Sequence, residues 1–164
     1  MALGRQQTST SRPSVLATAG PVVYLLDVNV LIALVDPSHA MHNSAHDWFA
    51  ATGQAAWASC PITENGLLRI VGNPRYPNSP GTPAAVMASL RGLKTLTGHH
   101  FWPNDLSLAD QGAAVDSERL LSHAQVTDTS LLALAVANGG KLASFDRRLV
   151  TSAVKGGSAA LHLI

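Results

Sequence analysis

Residues 22–35 read VVYLLDVNVLIALV, an apolar stretch interrupted only by Asp27 and Asn29, and few architectures can accommodate it. Val22 to Leu26 is apolar without alternation, as expected of a β-strand covered on both faces of a parallel sheet. Val30, Leu31, Ala33, Leu34 and Val35 follow Asn29 as a helical pattern, and asparagine is a good cap for the orphan amides of a first turn. Asp27 then falls where the strand ends and the chain turns, and in open α/β sheets that carboxyl edge is where ligands bind. A carboxylate removed from water without a partner takes up a proton or recruits a cation. That cost makes Asp27 the first candidate site residue.

At 164 residues the chain is the size of one domain. The formal charge is +1, so no strongly basic surface is announced by composition, and any polyanion must be held locally or through a metal. The single cysteine, Cys60, has no partner within the chain, which fits a reducing compartment, and its ordinary reading is a small buried hydrophobe. No apolar run approaches the ~20 residues of a membrane span. Residues 1–20 are rich in Ser, Thr and Gly and lack the apolar segment of a signal peptide; they read as a loose tail or an over-early start, with the domain running from Pro21 to Ile164.

After the first helix, Pro37 breaks the pattern and Ser38 is placed to cap a second helix closed by Gly53. His39, His42 and His46 lie three and four apart on that segment; that spacing suits metal ligands such as those of a zinc site, and surface histidines on an amphipathic helix are the plainer reading. A second strand, Ala55 to Ser59, leads into a helix with Pro61 in its first turn and Glu64 close behind, where a helix dipole favours an acid. Residues 73–83 form a proline-rich loop, and Pro83 opens the next helix. A short strand at His99–Trp102 follows, then a polar stretch to Asp116, with Leu120 and Leu121 expected to anchor a short helix. Thr127, Asp128 and Ser130 precede the helical LLALAVA, with Asp128 a candidate cap, and Asn138-Gly139-Gly140 stops it. Lys141 to Ser144 reads as a strand with Asp146 just past its end, and Ala159–Ile164 as a fifth, edge strand. The alternation argues for an α/β sheet with mostly parallel strands and helices on both faces.

In such a sheet all parallel strands end on one edge and the following helices start there. Asp27 and Asp146 at strand ends, and Glu64 and Asp128 at helix starts, are thereby assigned to one rim. Carboxylates brought together either protonate in part or share a cation, and oxygen ligands without a thiolate suit Mg²⁺ or Mn²⁺ rather than zinc. LLDVNVLIAL, the Glu64 helix, VTDTSLLALA and GGKLASFDRRL together resemble the four acidic motifs of the PIN-domain nucleases, and specifically the VapC toxins of bacterial type II toxin–antitoxin pairs. The resemblance covers nearly everything from Val22 to the C-terminus.

It implies a three-layer α/β/α sandwich with a mostly parallel sheet of four or five strands. It also implies a Mg²⁺-dependent (or Mn²⁺-dependent) cytoplasmic endoribonuclease that hydrolyses RNA phosphodiester bonds as a homodimer, is neutralised by a VapB-like antitoxin and has no membrane association. Position by position, Asp27, Glu64, Asp128 and Asp146 match the acidic quartet that would hold the metal and carry catalysis. Asn29, Arg147 and Arg148 are candidates for orienting substrate, against the ordinary readings of a helix cap and a solvated turn. Two rivals fail on residues: a haloacid dehalogenase-like phosphatase needs a second Asp where Asn29 stands, and no G-x-G-x-x-G follows the first strand for a dinucleotide. The alternative from another class is a non-catalytic PIN-like module that binds RNA or protein.

Overall fold

Five short strands make one sheet: β1 (Tyr24–Leu26), β2 (Trp57–Ser59), β3 (His99–Phe101), β4 (Lys141–Ser144) and β5 (Leu161–Leu163). Their spatial order is β3-β2-β1-β4-β5 and every neighbouring pair is parallel. The computed structural model describes residues 20–110 and 114–164; the expectation of a loose tail over residues 1–20 falls, Gly20 apart, outside them. The helices are α1 (Val28–Val35), α2 (His42–Ala51), α3 (Pro61–Val71), α4 (Pro83–Lys94), α5 (Gln125–Ala137) and the single turn α6 (Gly157–Ala160).

Side chains along each strand alternate between two cores, one on each face of the sheet. Leu26, Trp57 and Ala143 pack into the core built with Val30 and Leu31 of α1, Phe49 of α2, Leu67 of α3 and Leu90 of α4. Leu25, Ala58 and Leu142 pack on the opposite face with Leu131, Leu132 and Leu134 of α5. Both faces are apolar, which is why the run Val22 to Leu26 shows no alternation in sequence. Each leucine fully buried in this way contributes roughly 1.5–3 kcal/mol. In α5, residues 129–135 are all buried, so the helix has no polar side in its middle.

The strand order positions the site. From β1 the chain steps outward to β2 and β3 with α1 to α4 on one face; it then returns past β1 to β4 and goes on to β5 with α5 and α6 on the other. Right-handed crossovers require that change of face when the direction of travel reverses. β1 and β4 are thus neighbours whose chains leave in opposite directions, the topological switch point at which a crevice opens beyond the carboxyl ends of the strands.

Several local expectations are corrected. α1 is capped by Asp27, whose side chain accepts from the Val28 N–H at 2.7 Å, and not by Asn29. α2 begins at His42 and ends at Ala51, so neither Ser38 nor Gly53 borders it directly. α5 starts at Gln125, which leaves Asp128 inside the first turn rather than at the cap. Leu120 and Leu121 anchor no helix: a 3₁₀ turn at Ser117–Arg119 precedes them, and Leu121 is 85% exposed. The three histidines serve the backbone. His39 Nδ1 accepts from the Met41 N–H, while rings of His42 and His46 bond the carbonyl oxygens of Ala33 and Leu34 at the open end of α1. Cys60 is fully buried at the start of α3, as its ordinary reading predicts. No helix among the described residues is long and apolar enough to cross a membrane.

Candidate metal centre

The last β1–β4 hydrogen bond, from the Asp27 N–H to the Ala143 carbonyl, sets Asp27 beside Ser144 at the switch point. Ser144 is fully buried, and its hydroxyl donates to Asp27 Oδ2 at 2.6 Å. The Ser144 hydroxyl oxygen in turn accepts from the Asn29 amide at 3.0 Å and from the Asp146 N–H at 3.0 Å. Asn29 also donates to Asp27 Oδ2 at 3.0 Å and accepts from the Phe145 N–H at 3.3 Å. Asp27, Asn29, Ser144 and the turn carrying Asp146 therefore form one hydrogen-bonded unit that ties the first strand–helix junction to the last. Ser144 carries little signal as a site residue in the sequence: a hydroxyl as the final residue of a buried strand, two positions before an acid.

A cavity of about 450 Å³ opens over this unit, with Asp27, Asn29, Asp128 and Asp146 on its walls. Its other side is α3, which contributes Ile62, Asn65, Gly66, Arg69 and Ile70, one helical face. Gly66 lets α1 and α3 approach closely there, since a Cβ would lie 2.7 Å from Cγ2 of Val28 on α1 and force that side chain or the helices to shift. Asp27 is 7% exposed, and burial pushes its carboxyl up against the hydrogen bonds from Ser144, Val28 and Asn29, with the charge of Asp146 adding to the rise. Asp128 is pushed up to about 6, first by burial and then by Asp27 and Asp146. Among the described residues no hydrogen-bond donor relieves it.

Glu64 is not brought to this cavity. It sits about 200° round α3 from Ile62, on the far side of the helix. There it accepts from the Ser59 hydroxyl at 2.6 Å, pairs with Lys94 at 2.6 Å, and shares Ser59 with His99. The structure thus gathers three of the four acids. Arg147 and Arg148 are exposed and outside the cavity lining; the Arg148 N–H caps Asp146 Oδ1 at 2.8 Å, and its guanidinium stands 3.8 Å from the same oxygen.

An underpartnered, half-buried carboxylate facing two others is an arrangement that a hard divalent cation fits, since the cation cancels the repulsion that lifts Asp128. Among the described residues no three acidic, histidine or cysteine side chains stand close enough to enclose an ion by themselves, and Mg²⁺ characteristically keeps several of its waters rather than taking an all-protein cage.

A parallel five-stranded sheet with aspartates meeting at its switch point is the architecture of a PIN domain, and residues 24–154 match that family, to which the chain belongs. Within it the similar proteins are VapC proteins. Ribonuclease VapC39 of Mycobacterium tuberculosis is 45% identical over 132 residues, 80% of this chain and 94% of the relative. Ribonuclease VapC44 of the same organism is 42% identical over 132 residues, 80% of this chain and 92% of the relative. Two solved structures share the fold at low identity. Mycobacterium tuberculosis VapC20, described as a Sarcin-Ricin loop cleaving toxin, aligns with TM-score 0.57 and 15% identity over 84% of this chain and 94% of its own. VapBC2 from Rickettsia felis, bound to a DNA fragment from its promoter, aligns with TM-score 0.55 and 10% identity over 87% of this chain and 98% of its own.

Proposed function

We propose that this chain is the toxin of a type II toxin–antitoxin pair, a divalent-metal-dependent endoribonuclease whose site is built on Asp27, Asp128 and Asp146. The observation that carries the reading is the convergence of these three carboxylates on one cavity, with Asp128 lifted to about 6 by burial and by the other two. Asp27, Asp128 and Asp146 would hold the metal, and Mg²⁺ is the ion best suited to a hard-oxygen site that keeps bound water. When bound, such an ion supplies a water of lowered pKa and stabilises charge on the phosphate.

The chain's own residues do the rest. Ser144 and Asn29 hold Asp27 Oδ2 in place, so that a buried carboxylate is aimed before substrate arrives. The Asp146 carboxylate is presented by a turn whose backbone is fixed to the Ser144 hydroxyl. Val28, Ile32, Ile62 and Ile70 give the cavity an apolar flank against which a nucleobase can lie while the adjoining phosphodiester faces the acids. Glu64, which the family pattern adds as a fourth acid, enters the site only if its carboxylate leaves Ser59 and Lys94.

The family supports a VapB-like antitoxin as partner, and we extend the reading to a homodimer acting on RNA in the cytoplasm. The decisive experiment is incubation of the purified chain with structured RNAs, with and without Mg²⁺. Cleavage that requires the metal and drops at least 100-fold in Asp27→Asn is expected; cleavage that persists in that variant or in excess chelator would exclude this site.

A further inference from the structure

The cavity has a basic exit. Arg69, exposed on the cavity face of α3, also lines with Ile70 a second depression of about 350 Å³, whose other wall is the loop after α3 with Asn73, Arg75, Tyr76 and Pro77. The two hollows therefore share Arg69 and Ile70 as a common wall, and Arg69 is the charged member of it. Among the described residues neither Arg69 nor Arg75 forms a salt bridge, whereas Lys94, Arg119 and Arg148 each stand near a carboxylate. Two guanidinium groups thus keep their donors free for an outside anion.

The loop that carries Arg75 is fixed. The Arg75 N–H donates to Asn73 Oδ1 at 2.9 Å, and the Tyr76 N–H to the Asn73 carbonyl at 2.9 Å. Tyr76 and Asn78 both donate side-chain hydrogen bonds to Asp36, which is 5% exposed at the end of α1. Pro74, Pro77 and Pro80 restrict the same segment further. Asp36 thereby moors this loop to the helix whose other end carries Asp27.

Resting on the ribonuclease reading above, we infer that Arg69 and Arg75 form a phosphate-binding track that holds the RNA backbone beside the scissile bond. Three carboxylates repel a polyanion, and a net charge of +1 supplies no general attraction, so the substrate needs cations fixed at the cavity edge. Guanidinium forks meet phosphate oxygens bidentately, which lysines do not.

The test uses the full chain and a single-stranded RNA oligomer, with steady-state cleavage measured in Mg²⁺ and binding measured in EDTA across a salt series. Arg69→Ala and Arg75→Ala are each expected to raise KM about tenfold with kcat within about threefold. Each should also flatten the slope of log K against log salt by about 0.7, one single-strand phosphate contact. Lysine at either position should restore the slope but only part of KM. Arg91→Ala, an exposed charge on α4, is expected to change neither quantity. Unchanged KM and slope in Arg69→Ala, or equal effects in Arg91→Ala, overturns the track. A wild-type chain that cleaves no RNA removes the nuclease reading, and the salt slope in EDTA still decides whether the two arginines hold RNA phosphates.

Discussion

Ser144 holds more of the acidic edge together than any of the acids themselves, because its one hydroxyl joins Asp27, Asn29 and the backbone of Asp146. Ser144→Ala leaves Asp27 Oδ2 with a single donor in a buried setting and should cost about 1–3 kcal/mol of stability, read as a fall in the denaturation midpoint. Cleavage should fall with it, since the carboxylate loses its aim. Asp128 has the opposite balance: it is held above its ordinary value by burial and by its neighbours' charge. A folded-state carboxyl raised from 3.8 to about 6 binds more protons than the unfolded chain in that window, so the metal-free protein loses stability as pH rises from about 4 to 6. Asp128→Asn should therefore stabilise the metal-free chain at pH 7 by about 1 kcal/mol, or roughly 2–4 °C in Tm, while abolishing cleavage. A variant both inactive and less stable would contradict the electrostatic account.

At the scale of elements, α3 decides what reaches the cavity. Its cavity face contains Gly66, and Gly66→Ala would drive a methyl group into Val28 Cγ2, next to the Asp27 cap. Separation of α1 and α3 should cost about 1–3 kcal/mol and lower cleavage more than a surface change of equal stability cost. Glu64 lies on the face that packs toward Ser59 and Lys94, and its position there was not legible from sequence. A helix start was legible at Pro61, but which side of that helix meets the switch point depends on how it packs against α1 and α4. Glu64→Gln should keep most metal-dependent cleavage while lowering stability through loss of the Lys94 pair. A loss of activity matching Asp27→Asn would instead show that the carboxylate swings into the site. The same limit applies to Asn29, which reads as a cap by local preference. In the fold the strand end hands the cap to Asp27, and Asn29 is freed to bridge to Ser144.

Over the whole molecule, folding and the acidic edge are in tension, and a bound cation should relieve it. Mg²⁺ at about 100 times its Kd should raise stability by about 2.7 kcal/mol at pH 7.5 and much less near pH 4, where Asp128 is already protonated. Equal stabilisation at both pH values would mean that the ion binds elsewhere. The parallel α/β class, the strand-end places of Asp27 and Asp146, and the buried character of β1 and α5 are all written in the order of residues along the chain. Those properties follow from apolar periodicity and local turn chemistry, both short-range. It takes the folded arrangement for Ser144 to join two strand ends 117 residues apart, for Asp128 to be lifted by its neighbours, and for Glu64 to turn away while Arg69 faces the cavity. These depend on strand order and on helix rotation about the sheet, which are set by packing between distant segments.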